Sequence, residues 1–367
     1  MQKNLLHWYR QRKRDLPWRT NPPHPYYVWL SEMMLQQTTV ATVIPYFYRF
    51  IQRWPTLADL AQADIDEVLH MWQGLGYYAR ARNLLACARL VEASLGGVFP
   101  QDVESLMQLP GIGPYAAGAI SAIAFQRWAV VVDGNVVRVL SRVYCIEGDA
   151  QQKEIRKRMG DLTPTSASTS DVGDFVQAVM ELGALICRPV LPKCTECPWQ
   201  TSCGAYAANR VGHYPVKKAP ILRPYKKGIV IWLESVSHGS LDQRKVWVRQ
   251  RSQKGLLGGL WEFPSTSWLE NEAVENEAAV LPPLIQGEFP WGALPPLEKV
   301  GEVHHVFTHF RLSLSVLRGR WSEPIWAQTS SEKSVSQEGS QGFFCPVEKL
   351  NDLAFPTLMR KVIKMIV

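Results

Sequence analysis

The chain has 367 residues, 46% hydrophobic and 20% charged, which excludes a disordered polymer and leaves room for two or three domains. No apolar run reaches the ~20 residues of a membrane-spanning helix, and Met1 to Arg14 is polar and basic, unlike a secretory signal; a cytoplasmic protein is expected, nucleoid-associated in a bacterium. The net charge of +7 favours an anionic partner, nucleic acid first among them.

In chain order, residues 28–50 read as one amphipathic helix with Ser31 and Glu32 near its start. Residues 56–72 read as a second, broken by Gly74 and Gly76. Residues 77–95 place Leu84, Leu85, Ala88, Val91 and Leu95 on one buried face, and Gly96 with Gly97 stops them. Further helices are expected at 115–125, 136–143 and 175–187, with a surface loop at 163–170. Residues 204–227 mix Pro, Lys and Gly as a linker does. Beyond them apolar and polar residues alternate through Ile229, Ile231 and Leu233, through Val246 and Val248, and through Leu312, Leu314 and Val316, the period of strands. A Ser-rich loop at 327–341 and a short helix at 358–366 close the chain. The expected fold is multidomain: an all-α core at 1–212, a linker at 213–226, and an α+β domain at 227–367.

The segment Leu109-Pro-Gly-Ile-Gly-Pro-Tyr115 joins two helical stretches. Gly111 and Gly113 permit backbone angles that other residues avoid, and the next helix presents free N–H groups where a phosphate binds. Asp133 follows Val130, Val131 and Val132 and opens another helix. Singly it reads as an N-cap; emerging from an apolar wall, its charge would act strongly on a developing cation.

Cys187, Cys194, Cys197 and Cys203 leave gaps of six, two and five residues. Four thiolates so close suit zinc or an iron–sulfur cluster, and spacing alone leaves both open. Cys87, Cys145 and Cys345 stand apart and read as packing residues.

The glycine turn, the spaced aspartate and the cysteine loop together resemble the helix–hairpin–helix DNA glycosylase superfamily. The cysteine gaps match its cluster-bearing members, which implies one [4Fe–4S] cluster on Cys187, Cys194, Cys197 and Cys203, in a loop at 187–203. Leu16-Pro-Trp-Arg19, Trp29-Leu-Ser-Glu-Met-Met-Leu-Gln-Gln-Thr38 and Gly74-Leu-Gly-Tyr-Tyr-Ala-Arg-Ala-Arg-Asn83 resemble the adenine DNA glycosylase family, and the match runs nearly end to end. The resemblance implies a monomeric base-excision-repair enzyme that flips adenine out of double-stranded DNA and hydrolyses its N-glycosidic bond, the adenine being mispaired with 8-oxoguanine or guanine.

By position, Glu32 protonates the adenine ring, and Leu30, Met33, Met34 and Leu35 supply the apolar surroundings that keep its proton toward neutral pH. Asp133 stabilises the oxocarbenium-like sugar, supported by Asn135 and Tyr115. Tyr115 stands where related bifunctional enzymes carry a Schiff-base lysine, a reaction closed to a phenol. Arg14, Trp18, Leu35 and Gln177 fall at adenine-pocket positions. Arg19, Gly111 and Gly113 fall at substrate or DNA-binding positions, and Gln37 and Tyr77 where the family wedges into the duplex. Alternatives are a bifunctional pyrimidine-lesion glycosylase with lyase activity, a non-catalytic iron–sulfur DNA sensor, and a Nudix hydrolase.

Gly258-Gly-Leu-Trp-Glu-Phe-Pro264 resembles the start of a Nudix-type domain. The hydrolytic set is missing: residues 265–279 hold Glu270, Glu272, Glu275 and Glu277 but no arginine. In the family such a domain recognises 8-oxoguanine through the loop that here reads Val306-Phe-Thr-His-Phe310, with Phe307 stacking and Thr308 and His309 touching the lesion or its backbone. Thr308 stands where serine is common, and its added methyl reshapes the contact.

Overall fold

The computed structural model describes residues 1–148, 151–162, 171–216, 222–236, 244–270, 294–322 and 342–367. The loops expected at 163–170 and 327–341 and most of the acidic stretch after Ser265 lie outside the described residues. Two compact units result: Met1–Ala63 with Arg82–Ala219, and Asp64–Ala81 with Pro220–Val367. The grouping of Asp64–Ala81 with the C-terminal unit was not expected from chain order.

The first unit begins with α1 (Gln2–Arg12) and α2 (Pro25–Leu35), whose proline at the first helical turn lacks only an N–H that would be unpaired anyway. The single helix expected over 28–50 is two. Gln37 takes a left-handed φ of 58°, and Thr39 then caps α3 (Val40–Arg53) by accepting from the Thr42 N–H. The helix expected over 56–72 also divides. Thr56 and Asp59 form a capping box on α4 (Leu57–Ala61), and Asp64, the first residue of the second unit, caps α5 (Ile65–Met71). Polar caps inside an apolar periodicity are what end these helices. Next come α6 (Ala79–Leu95), α7 (Val103–Leu106), α8 (Pro114–Phe125), α9 (Gly134–Tyr144), α10 (Gln151–Asp161), α11 (Val172–Leu185) and α12 (Gly204–Ala207). Helix α6 stops at Gly96 and Gly97, both at positive φ, as expected. α11 ends before Cys187.

Helix α8 is central, packing on α2, α7 and α11. Its small residues make that possible: Ala116, Ala117, Gly118, Ala119 and Ala122 are buried, and a Cβ on Gly118 would sit 3.3 Å from the Val130 carbonyl oxygen. On these helices Trp29, Met33, Ile120, Phe175 and Val179 are fully buried, each burial contributing roughly 1.5–3 kcal/mol.

The stretch 204–227 is less linker than expected. It holds α12, a helical turn at Val211–His213, and the start of a strand. Strands β1 (Tyr225–Val236), β2 (Lys245–Gln250), β3 (Trp261–Glu262), β4 (Leu269–Glu270), β5 (Leu297–Val306), β6 (Arg311–Ser322) and β7 (Gly342–Pro346) form one sheet, followed by α13 (Thr357–Ile366). The main order is β3-β2-β1-β6-β5, with β4 paired to β1 and β7 to β2. β1 and β6 run parallel from Tyr225 opposite Arg311 to Val236 opposite Ser322; β5 and β6 are antiparallel. Both faces of β1 are buried. Val230 and Trp232 pack under Leu358, Met359 and Val362 of α13, while Ile229, Ile231 and Leu233 lie on the other side. Two buried carboxylates are paired by arginines, Glu234 with Arg318 at 2.7 Å and Glu262 with Arg249 at 3.0 Å. Among the described residues, no helix is long and apolar enough to cross a membrane.

Candidate active site

In the first unit, a cleft of about 1090 Å³ is bordered by Glu32, Tyr115, Asp133 and Asn135. It also borders Arg14, Trp18, Arg19, Leu35, Gln37, Gly111, Gly113 and Gln177. Helices α2, α8, α9 and α11 and the segment between α1 and α2 bring these residues together from positions up to 163 apart in the chain.

Glu32 is 4% exposed, among the fully buried Leu30, Met33 and Met34. Burial pushes its carboxyl up to about 7, helped by the nearby Asp133 and opposed by a hydrogen bond to Tyr115 and by the charge of Arg19. Glu32 Oε2 is buried with no hydrogen-bond partner among the described residues. The Tyr115 phenol is pushed well above its ordinary range, by burial first and then by Glu32 and Asp133.

Asp133 does cap α9: its Oδ1 accepts from the Val136 N–H at 2.7 Å. Its Oδ2 accepts from Asn135 Nδ2 at 2.8 Å. Capping and chemistry are therefore compatible, because the capped carboxylate is held at the border of the cleft. An acid held protonated near neutrality, beside a held carboxylate, suits departure of a poor anionic leaving group from a sugar that becomes cationic.

The two glycines of the turn differ. Gly111 has φ 76°, and a Cβ there would sit 2.7 Å from Asn83 Cβ and 2.8 Å from Met33 Cε. Gly113 has φ −89°, open to any residue, and its Cβ direction is empty. The expectation of special backbone angles thus holds for Gly111 alone. Gly113 caps α8 without a side chain, which leaves the helix start uncovered.

The sequence reading missed two partners. Glu181 is 1% exposed and accepts from Arg14 N, Nε and Nη2 and from Arg19 Nη2, at 2.8–3.0 Å. These bonds hold its carboxyl down at about 2 against burial. Arg14 and Arg19 are therefore ion-paired within the protein. Arg19 Nε also donates to Gln177 Oε1 at 2.9 Å. The second partner is Arg138, which donates from Nη2 to Asn135 Oδ1 at 2.8 Å and from Nε to the Cys187 carbonyl at 2.7 Å. The one signal for each was helical spacing, Glu181 four residues after Gln177 and Arg138 three after Asn135.

Cys187, Cys194, Cys197 and Cys203 line one small cavity walled by Val139, Val143, Leu182 and Ile186. All four are free thiols, and Arg142 donates from Nη1 to Cys187 Sγ at 3.3 Å. Among the described residues no three His, Cys, Asp or Glu side chains converge as ligands of a single ion. Four cysteine thiols lining one apolar, hydrogen-bonded pocket are a donor set that suits thiolate ligation of a metal centre.

In the second unit, Phe307 packs on the core. Its ring centroid lies 5.6 Å from Trp268 in a stacked pair, 4.7 Å from Phe310 and 4.6 Å from His305. It props the turn, which the Phe307 N–H closes onto the Phe310 carbonyl at 2.9 Å. Thr308 and His309 are exposed at the tip. The Tyr77 hydroxyl hydrogen-bonds Thr308 Oγ1. Tyr77, like Gln37, has a left-handed φ, 48°.

Residues 30–165 match the HhH-GPD superfamily base excision DNA repair protein, and residues 240–365 match the NUDIX domain. Those two matches define a DNA glycosylase carrying a Nudix-like domain. An adenine DNA glycosylase of Rattus norvegicus is 39% identical over 99% of this chain and 77% of its own. The adenine DNA glycosylase of Homo sapiens is 37% identical over 98% and 73%, and that of Buchnera aphidicola (subspecies Schizaphis graminum) 30% identical over 98% and 96%. The chain belongs to the adenine DNA glycosylase family.

Proposed function

We propose that this enzyme is a monofunctional adenine DNA glycosylase of base excision repair, acting on adenine opposite 8-oxoguanine or guanine in duplex DNA. The observation that carries the proposal is Glu32, buried with a carboxyl near 7, in the same cleft as the fixed Asp133. Adenine is flipped into the cleft, and Glu32 gives its proton to the departing ring. Asp133, held by Asn135 and the Val136 N–H, stabilises the sugar cation until water attacks. Gln37 and Tyr77 wedge into the duplex, and Gly111 and Gly113 bring the start of α8 to a phosphate.

The opposite base is read by the 306–310 turn, with Phe307 offering its ring for stacking and Thr308 and His309 touching the lesion or its backbone. Cys187, Cys194, Cys197 and Cys203 would hold a [4Fe–4S] cluster, which supplies a rigid, charged anchor for the loop that Arg138 and Arg142 grip. Tyr115 argues against the pyrimidine-lesion alternative, because strand cleavage through a Schiff base needs an amine at that place.

The test is a set of duplexes with adenine opposite 8-oxoguanine, adenine opposite guanine, and an oxidised pyrimidine, with wild type and Glu32→Gln. Adenine release lost in Glu32→Gln, without borohydride-trapped adducts, is expected. Release of the pyrimidine lesion alone, or strong trapping, overturns the proposal.

A further inference from the structure

We infer that Glu181 is a positioning residue of the adenine-releasing site: it holds Arg14 and Arg19 as a pair and takes up charge that Arg19 would otherwise turn on Glu32. The inference rests on the reading of Glu32 as the acid.

Glu181 lies on α11 one turn beyond Gln177, buried at the edge of the cleft. Two guanidiniums close on its single carboxylate, Arg14 through Nε at 2.8 Å and Arg19 through Nη2 at 3.0 Å. The Arg19 guanidinium also lies over the Tyr9 ring, 5.6 Å from its centroid. Arg19 therefore has one place to be. From there its Nε fixes Gln177 Oε1, while Gln177 Nε2 donates to the Gly173 carbonyl at 3.3 Å. The amide of Gln177 is thus oriented through Arg19, which Glu181 holds.

The groups that act on Glu32 are Tyr115 from α8, Asp133 from the start of α9, and Arg19 from the chain before α2. Lys13 and Asp174 border the same cleft, and Asp174 pairs with Arg10 at 3.6 Å. Arg19 is the one cation among those acting on Glu32, and it favours the ionised, inactive acid. With Glu181 in place the three charges of Arg14, Arg19 and Glu181 sum to one positive charge. Without it two guanidiniums face each other unneutralised, and the field at Glu32 grows more positive.

Single-turnover adenine release with saturating enzyme, measured from pH 5.5 to 9, tests this. Glu181→Gln moves the alkaline limb down by roughly half a pH unit or more, so that the rate loss is several-fold greater at pH 8 than at pH 6. Glu181→Asp keeps the limb near its wild-type place. Arg14→Gln moves it up, and Glu181→Gln with Arg14→Gln returns it. A merely structural Glu181 lowers the rate equally at every pH, and that outcome overturns the inference. If Glu181→Gln fails to fold, Arg14→Gln decides alone, and an unmoved limb overturns it. Wild-type release by Glu32→Gln would instead sink the reading of Glu32, whatever Glu181 does.

Discussion

Asn135 donates from Nδ2 to Asp133 Oδ2 at 2.8 Å while accepting on Oδ1 from Arg138, also at 2.8 Å. Arg138 continues to the Cys187 carbonyl, so Asp133 and the first cysteine of the loop lie on one hydrogen-bonded chain. Asn135→Ala leaves Asp133 with the Val136 N–H alone. The single-turnover rate should fall on the order of 10²-fold with DNA affinity little changed. Equal losses in rate and affinity would refute the assignment.

Gly183 on α11 has no room for a side chain. An added Cβ would sit 2.5 Å from Asn135 Cβ and 3.0 Å from its Cα, so backbone must move. Gly183→Ala should destabilise the fold by about 1–3 kcal/mol and slow adenine release at least about tenfold through Asn135. Thermal melting and the single-turnover rate check both, and a fully active variant contradicts the packing.

The Glu32 carboxyl, raised by burial to about 7, sets a pH dependence with a definite sign. In the proposed reaction adenine release requires the protonated form, so the rate should decline as pH rises through about 7. Stability follows the same group. Between about 4.5 and 7 the unfolded chain releases this proton and the folded chain keeps it, so stability falls as pH rises across that window. Glu32→Gln removes the penalty. It should be inactive yet melt higher than wild type at pH 8, by roughly 1–3 kcal/mol, and differ little near pH 4.

Thr308 carries a hydroxyl at an exposed tip and bonds Tyr77. Thr308→Val keeps the shape and removes that hydroxyl. The ratio of adenine release opposite 8-oxoguanine to that opposite guanine should fall several-fold, on the scale of about 1 kcal/mol for one hydrogen bond. An unchanged ratio removes Thr308 from lesion reading.

If the four cysteines hold the proposed cluster, Cys197→Ser should lower the iron content of the purified protein and its thermal stability together, since a missing thiolate would leave one iron without its ligand. Full iron content in that variant would rule out Cys197 as a ligand.

Much of the helical unit was legible because amphipathic period and glycine stops are local: α6, α8 and α9 lie close to where periodicity puts them. The breaks at Gln37 and Asp64 were not, since a polar residue on an apolar stretch reads equally as a helix face or a cap until its N–H partner is known. In the second unit, β1, β2 and β6 follow from alternation, whereas β5 went unread: its residues are mostly exposed and carry charges at Glu298, Lys299 and Glu302. The packing of Phe307 on Trp268 went unread for a related reason. An aromatic in a short loop gives no local sign of whether its ring meets a base or the core.

By itself the sequence determined the family and the groups on offer: two carboxylates, a tyrosine in place of a lysine, four closely spaced cysteines, and motifs long enough to carry the resemblance. Residue types and short spacings suffice for that, because they state which protons and charges are available. Only the tertiary structure decided how those groups are tuned. The Glu32 carboxyl is raised because α2 is buried against α8, and Arg14 and Arg19 are paired because α11 brings the Glu181 carboxylate to them from 162 positions beyond Arg19. Burial and ion pairing are sums over neighbours distant in sequence, and no local pattern records them.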